Sequence, residues 1–333
     1  MGKYTITKDL RDVQRIEKLV LPTNFPIGPI HAYLVFGEKL TLIDTGLKTD
    51  QAWKELNIGL ERLGLKLTEI EQIVLTHHHN DHVGLLDWIL EKHPTVPVFA
   101  HRDTLTFLQD EDYLDWTGEF FKTLLQEFGL PKEMAYKWAF RKRGRTLSNN
   151  LEIETVLQEG DKVPGLSDWQ VIETLGHSQD HLSLYNAKDQ MLICGDHIIK
   201  GMHSGIFLDA PLYGKPRARP LIQYFQNLEK CKNLPIKLTY SGHGPDIDHL
   251  AEVIKATEEN IENRLQRVIN ALKKANGSAT GFEIIQDVYR RRYEKAVITF
   301  VFEIVAVLDL LEERNIIIAE KTNGVYHYRL VDY

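Results

Sequence analysis

Residues 76–84 read THHHNDHVG, which places four histidines and one aspartate within six consecutive positions. Imidazole and carboxylate groups that converge on one point bind a transition metal, and they come from a single loop or from strand ends spread along the chain. This chain offers both sources. Within the pattern HxHxDH, His77 and His79 stand two apart and can point the same way from an extended segment. Asp81 and His82 follow where the chain turns into a helix, so two groups of donors can face two metals.

Three further positions come immediately after apolar strand candidates: His177 in TLGHSQDH, Asp196 in LICGDH and His243 in TYSGHG. Each has a glycine beside it, which permits a tight turn and close backbone approach where strand-end side chains must converge. The seven residues are five histidines and two aspartates, enough for two metals with open positions for water. Isolated histidines carry no such signal. His31, His93, His101, His197, His203, His249 and His327 are read as ordinary hydrogen-bonded or surface groups.

The elements that must hold these groups follow from periodicity. IGPIHAYLVFGEKLTLIDT at 27–45 predicts an antiparallel hairpin turning at GEK, and Trp53, Leu56, Leu60 and Leu63 give helical spacing over 50–63. IEQIVLT at 70–76 predicts a buried strand, so the histidine cluster begins where a strand ends. Helix over VGLLDWILEKH and strand over VPVFA at 96–100 continue an α/β alternation. Residues of about 103–150 interrupt it with a mostly helical insert, acidic and aromatic first and ending in the basic, aromatic run YKWAFRKRGR at 136–145. Strands return in LEIETVL, WQVIETL, LSLYNA and QMLICG between 151 and 195, followed by a helix near 218–232 and the strand IKLTY at 236–240.

From about 249 the pattern changes to three helices and a hairpin with Asn323-Gly324 at its turn, the order of a winged helix. Two domains are therefore expected, a catalytic one over 1–246 and a smaller winged-helix-like one over 247–333. The third helix of the smaller domain, near 294–314, is apolar almost all round, whereas a helix that reads DNA presents polar donors to the major groove. It is expected to pack against the catalytic domain or a second subunit, as in a homodimer. DNA is disfavoured as a partner.

At this point the ordered motifs IDTG (43–46), HxHxDH (77–82), GHSxxH (176–181), GD (195–196) and GHG (242–244) resemble those of the metallo-β-lactamase superfamily. The resemblance covers about residues 13–246 and implies an αββα sandwich with the site at one edge. It also implies that His77, His79 and His177 hold one metal, that Asp81, His82 and His243 hold the other, and that Asp196 bridges them. Asp44 would support the site, His181 would orient a ligand, and His78 and Asn80 would be spacers. Gln179-Asp180 stands where many relatives carry Pro-Gly or a similar small pair, a departure expected to alter the pocket rim without touching a ligand.

True β-lactamases of that superfamily use a cysteine where this chain has Asp196, so the ligand set is more similar to glyoxalase II-like thioesterases, lactonases and RNA-processing phosphodiesterases. The C-terminal domain resembles the winged-helix extension of the endoribonuclease-like beta-lactamase-like branch. The expectation is a dinuclear hydrolase carrying two divalent ions, zinc first and iron or manganese as alternatives. A metal-bridging hydroxide would attack an ester or thioester, with Asp81 as the catalytic carboxylate; the alternative substrate is RNA.

Composition narrows the partners. Forty Lys plus Arg against 47 Asp plus Glu give a net charge of −7, which disfavours affinity of the whole protein for nucleic acid or an anionic membrane. Arg141, Lys142 and Arg143 in the insert, and Arg290, Arg291 and Arg292 nearer the C-terminus, are local basic groups. The two cysteines, Cys194 and Cys231, lack CxxC spacing and suit a reducing cytoplasm, the expected location. MGKYTITKDLRDVQRIEK has no apolar segment of the kind a signal peptide needs, and AVITFVFEIVAVLDLL at 296–311 is too short to span a bilayer.

Overall fold

The protein is described from a computed structural model that covers residues 15–139, 147, 151–202 and 204–331. The predicted hairpin forms: after β1 (Arg15–Leu21) come β2 (Ile30–Phe36) and β3 (Leu40–Ile43), each antiparallel to the one before. Next are α1 (Asp50–Arg62), β4 (Gln72–Val74), α2 (Asn80–Val83), α3 (Leu86–Lys92) and β5 (Val98–His101). The insert supplies α4 (Thr104–Gln109), α5 (Glu111–Glu127) and α6 (Lys132–Ala139); Arg141, Lys142 and Arg143 lie outside the described residues. Strand β6 (Thr155–Leu157) then completes a six-stranded sheet in the order β1-β2-β3-β4-β5-β6.

A second sheet follows, built from β7 (Lys162–Val163), β8 (Leu166–Glu173), β9 (Leu182–Asn186) and β10 (Met191–Ile193). Helix α7 (Pro220–Lys232) leads to β11 (Leu238–Tyr240), which pairs parallel with β10, giving the order β11-β10-β9-β8-β7. The two-residue alternation of side chains sorts these sheets into layers. Tyr33 and Val35 of β2, Trp169 and Val171 of β8, and Met191 and Ile193 of β10 fill the space between the sheets. Ala32 and Leu34 face outward onto α1 and α3, and Ile172 and Leu192 face outward into a separate apolar cluster with α5 and α7. Helix, sheet, sheet, helix is the αββα sandwich.

The chain continues through α8 (Leu250–Lys274), β12 (Ser278–Thr280), α9 (Gly281–Tyr289), α10 (Val297–Glu313), β13 (Ile317–Thr322) and β14 (Val325–Leu330). Here the structure adds to the predicted ribbon: β12 pairs with β14, so the terminal sheet has three strands in the order β12-β14-β13. Thr280 caps α9 through a reciprocal capping box with Glu283. Helix α10 buries Val301 and, Asp309 apart, residues 304–311 within one apolar cluster that also takes in Phe121 and Leu125 of α5 and Leu221 and Leu228 of α7. The terminal helices thus share a core with the outer helix layer.

One polar tie reinforces this junction. The Arg217 guanidinium donates two hydrogen bonds of 2.6 Å to the Asp309 carboxylate on α10. Asp309 is buried whereas the Arg217 side chain is 26% exposed, so breaking the pair costs less than the roughly 3–5 kcal/mol of a fully buried one. Asp309→Ala is expected to destabilise by about 2 kcal/mol. A urea or thermal melt indistinguishable from wild type would contradict that assignment.

Candidate metal centre

The seven residues singled out in the sequence all come together, because the strands that carry them end at the same edge of the sandwich. The segment after β4 gives His77, His79, Asp81 and His82; the β8–β9 turn gives His177; the ends of β10 and β11 give Asp196 and His243. Donor atoms of His77, His79 and His177 lie within 4.8 Å of one another, as do those of Asp81, His82 and His243, and those of His77, His82 and Asp196. Asp196 stands between the groups: its carboxylate is 3.4 Å from His82 Nε2 and 3.6 Å from both His177 Nε2 and His243 Nε2.

Four of the ligand candidates are aimed by what their far sides touch. Asp44 accepts from the Thr76 backbone N–H at 2.8 Å, from the Thr76 hydroxyl at 2.8 Å, and from His82 Nδ1 at 2.7 Å. It does so from a left-handed conformation, φ +58°, a strained geometry that its three partners hold in place. Since the Thr76 hydroxyl proton goes to Asp44, Thr76 Oγ1 accepts from His77 Nδ1 at 3.0 Å. His177 Nδ1 donates to the Gly205 carbonyl at 2.7 Å, and His243 Nδ1 donates to the Pro29 carbonyl at 2.8 Å. In all four rings a proton is thereby assigned to Nδ1, so Nε2 is the nitrogen that faces the centre.

The donor set fits a cation. His77 Nε2 and His177 Nε2 lie 3.0 and 2.9 Å from His79 Nδ1. Three ring nitrogens this close converge as the ligands of a single ion do. His82 Nε2, Asp196 Oδ1 and His243 Nε2 are buried and make no hydrogen bond, and an orphaned buried polar atom costs free energy unless an ion is bound. Burial and the neighbouring imidazoles push His77 and His79 well below the usual histidine range and lower His177, so these rings are neutral and ready to ligate. Burial alone would raise Asp196, but His82, His177 and His243 hold it far below the ordinary carboxylate range. Burial likewise opposes a charged His82, and the Asp196 and Asp44 carboxylates outweigh it and raise that ring well above its usual value.

Glycine is required at Gly242, where a Cβ would collide with Asp196 Oδ1 and come within 2.9 Å of His82. At Gly195, φ +47°, a Cβ would sit 2.8 Å from His181 Nε2. That His181 nitrogen accepts the Asp196 backbone N–H at 3.1 Å, and its Nδ1 meets Thr174 Oγ1 at 2.7 Å. His181 therefore orients Asp196 through the main chain.

Other expectations change. His78 is more than a spacer: it stacks on Phe107 at 4.5 Å and bonds Asp180 Oδ1 at 2.8 Å. Burial works against ionisation of Asp180, but His78, Thr104 and Ser178 bring its pKa down to about 2. The Gln179-Asp180 pair thus ties the histidine loop to α4, while Gln179 N–H donates to Asp209 at 3.0 Å. Thr76, Pro29, Ser204 and Gly205 are site residues that the sequence reading missed. Burial pushes both thiols, Cys194 and Cys231, up to about 12, so neither is a nucleophile.

Asp44→Asn is expected to lower metal affinity by roughly 10–100-fold, since the neutral amide no longer holds the His82 proton on Nδ1. Chelator competition would measure it. Unchanged affinity would show that Asp44 serves only the Thr76 turn.

This sandwich, with a buried histidine and aspartate cluster at one edge, defines a metal-dependent hydrolase, and the Metallo-beta-lactamase superfamily model matches residues 26–243. The chain belongs to that superfamily. It is 32% identical over 293 residues to the probable metallo-hydrolase YqjP of Bacillus subtilis strain 168, covering 88% of this chain and 90% of that protein. It is 31% identical over 166 residues to a hydroxyacylglutathione hydrolase of Pectobacterium carotovorum, covering 50% of this chain and 44% of that one. The same fold is seen in the crystal structure of a metallo-beta-lactamase family protein from Thermus thermophilus, with a TM-score of 0.74 at 24% identity over 95% of this chain and 98% of that one.

Proposed function

We propose that the protein is a dinuclear hydrolase of an ester or thioester. The observation that carries the reading is the pair of donor groups joined by Asp196, with buried donor atoms of Asp196, His82 and His243 left unpaired. His77, His79 and His177 would hold one ion, Asp81, His82 and His243 the other, and Asp196 both. Zinc suits this histidine-rich set, with iron or manganese as alternatives. When bound, such ions make water a nucleophile near neutral pH and polarise the substrate oxygen. The chain's own part is to keep four imidazoles in one tautomer, to keep Asp196 ionised, and to orient the attacking water through Asp81. Asp81 lies 3.2 Å from His243 Nε2. The hydroxyacylglutathione hydrolase likeness supports an acyl substrate, and the net charge of −7 disfavours RNA.

Residues 1–246 are read as the catalytic unit and 247–333 as a winged-helix-like unit, supported by the order α8, β12, α9, α10, β13, β14. Among the described residues no helix is long and apolar enough to cross a membrane. The test is elemental analysis followed by parallel assays on thioesters, lactones and RNA. Close to two ions per chain with acyl turnover is the expected result; metal-free folded protein, or turnover of RNA alone, would overturn it.

A further inference from the structure

Beside the metal centre lies an apolar pocket of about 190 Å³, walled by Phe207, Leu221 of α7, Ile261 of α8, and Phe302, Ala306 and Val307 of α10. One short loop, residues 204–207, runs between it and the centre. Ser204 and Gly205 line the pocket and also meet His177 Nδ1, at 3.1 and 2.7 Å. The Phe207 ring, 38% exposed, lies edge-on to His79 at 4.9 Å and to His177 at 5.4 Å. Phe207 is thus the common rim of the pocket and the donor cluster.

The pocket's size and polarity select what it can hold. A cavity of about 150 Å³ lined by aliphatic and aromatic side chains takes a benzene-sized group, while whole ligands need about 300 Å³ or more. This pocket therefore suits one apolar arm of a substrate. The one basic side chain in its wall, Arg264, is engaged by Glu303 at 3.5 Å, both about one-fifth exposed, so the wall offers no free charge to an anionic group. A thiol leaving group that carries a peptide or nucleotide is too large and polar to enter. The acyl chain is the half of a thioester that fits.

Resting on the acyl-hydrolase reading above, the geometry points to this pocket as the binding site for an uncharged aliphatic or aromatic acyl group of up to about phenyl size. The C-terminal helices α8 and α10 would then set substrate choice for a centre to which they give no ligand. Ala306 and Phe302 become specificity-determining positions.

The experiment uses the metal-loaded full chain and N-acetylcysteamine thioesters from acetyl to hexanoyl. In the wild type kcat/KM is expected to rise by about fourfold per methylene until the pocket is full. Ala306→Phe should flatten that rise, and Phe302→Ala should extend it to longer chains. A parallel calorimetric titration compares hexanoate with acetate, the wild type preferring hexanoate and Ala306→Phe losing the preference. Series that run parallel in the wild type and both variants, with no difference between the two carboxylates, would overturn the pocket and leave the hydrolase reading standing. Preference for hexanoate without turnover of any thioester would overturn the hydrolase reading and support the pocket.

Discussion

Asp196→Ala is expected to empty both halves of the metal centre at once. Asp196 is the one carboxylate of the seven residues placed within 3.6 Å of histidines from both groups. Its removal would also take from the buried His82 ring the carboxylate that stands 3.4 Å from its Nε2. Disturbing groups that merely orient ligands costs roughly 10–100-fold in metal affinity, so loss of a shared donor should exceed about 100-fold. Elemental analysis after gel filtration would read the loss directly, with circular dichroism to establish that the fold persists. A variant that retains the wild-type metal content would remove Asp196 from the ligand set.

Asp81→Asn tests a different quantity. Asp81 is the second residue of the short helix α2, with its carboxylate 3.2 Å from His243 Nε2. Burial alone would raise its pKa, but the adjacent His243 and His82 imidazoles lower it, so it is a ready acceptor. An amide of the same size keeps the shape and loses proton-accepting power. Turnover is therefore expected to fall by about 10²–10⁴-fold while KM changes far less. Steady-state kinetics at full metal occupancy separate the two parameters. Wild-type kcat would exclude Asp81 from the proton inventory.

The ligand candidates are legible in the sequence because their signal is local. HxHxDH fixes four of them within six residues, and His177, Asp196 and His243 each follow an apolar run and a glycine. The residues that aim them are harder to see. Pro29 and Gly205 act through main-chain carbonyls, which leave no trace in residue type, and Thr76 acts because the Asp44 carboxylate takes its hydroxyl proton. Alternate residues of an extended segment face opposite ways, which places His78 off the metal side. Its bond to Asp180, 102 residues later, is a tertiary fact that no such alternation contains.

The same distinction holds for the fold. Both sheets are legible as apolar runs between turns, whereas β7, two residues long, and β12, three residues long, are too short to show an alternation. Strand β12 exists because β14 is there to pair with it. The apolar pocket is equally invisible, since its wall draws on residues from 204 to 307.

The core shared by α5, α7, α8 and α10 carries a further consequence, for the order in which the protein is made. The six-stranded sheet and its outer helices are complete in sequence well before Val297 is synthesised, but the apolar faces of α5 and α7 are covered only when α10 arrives. A nascent chain at that stage bears an open apolar surface, the kind of surface that recruits chaperones and drives aggregation. Emergence of α10, rather than completion of the metal-bearing half, is then the step that covers this surface.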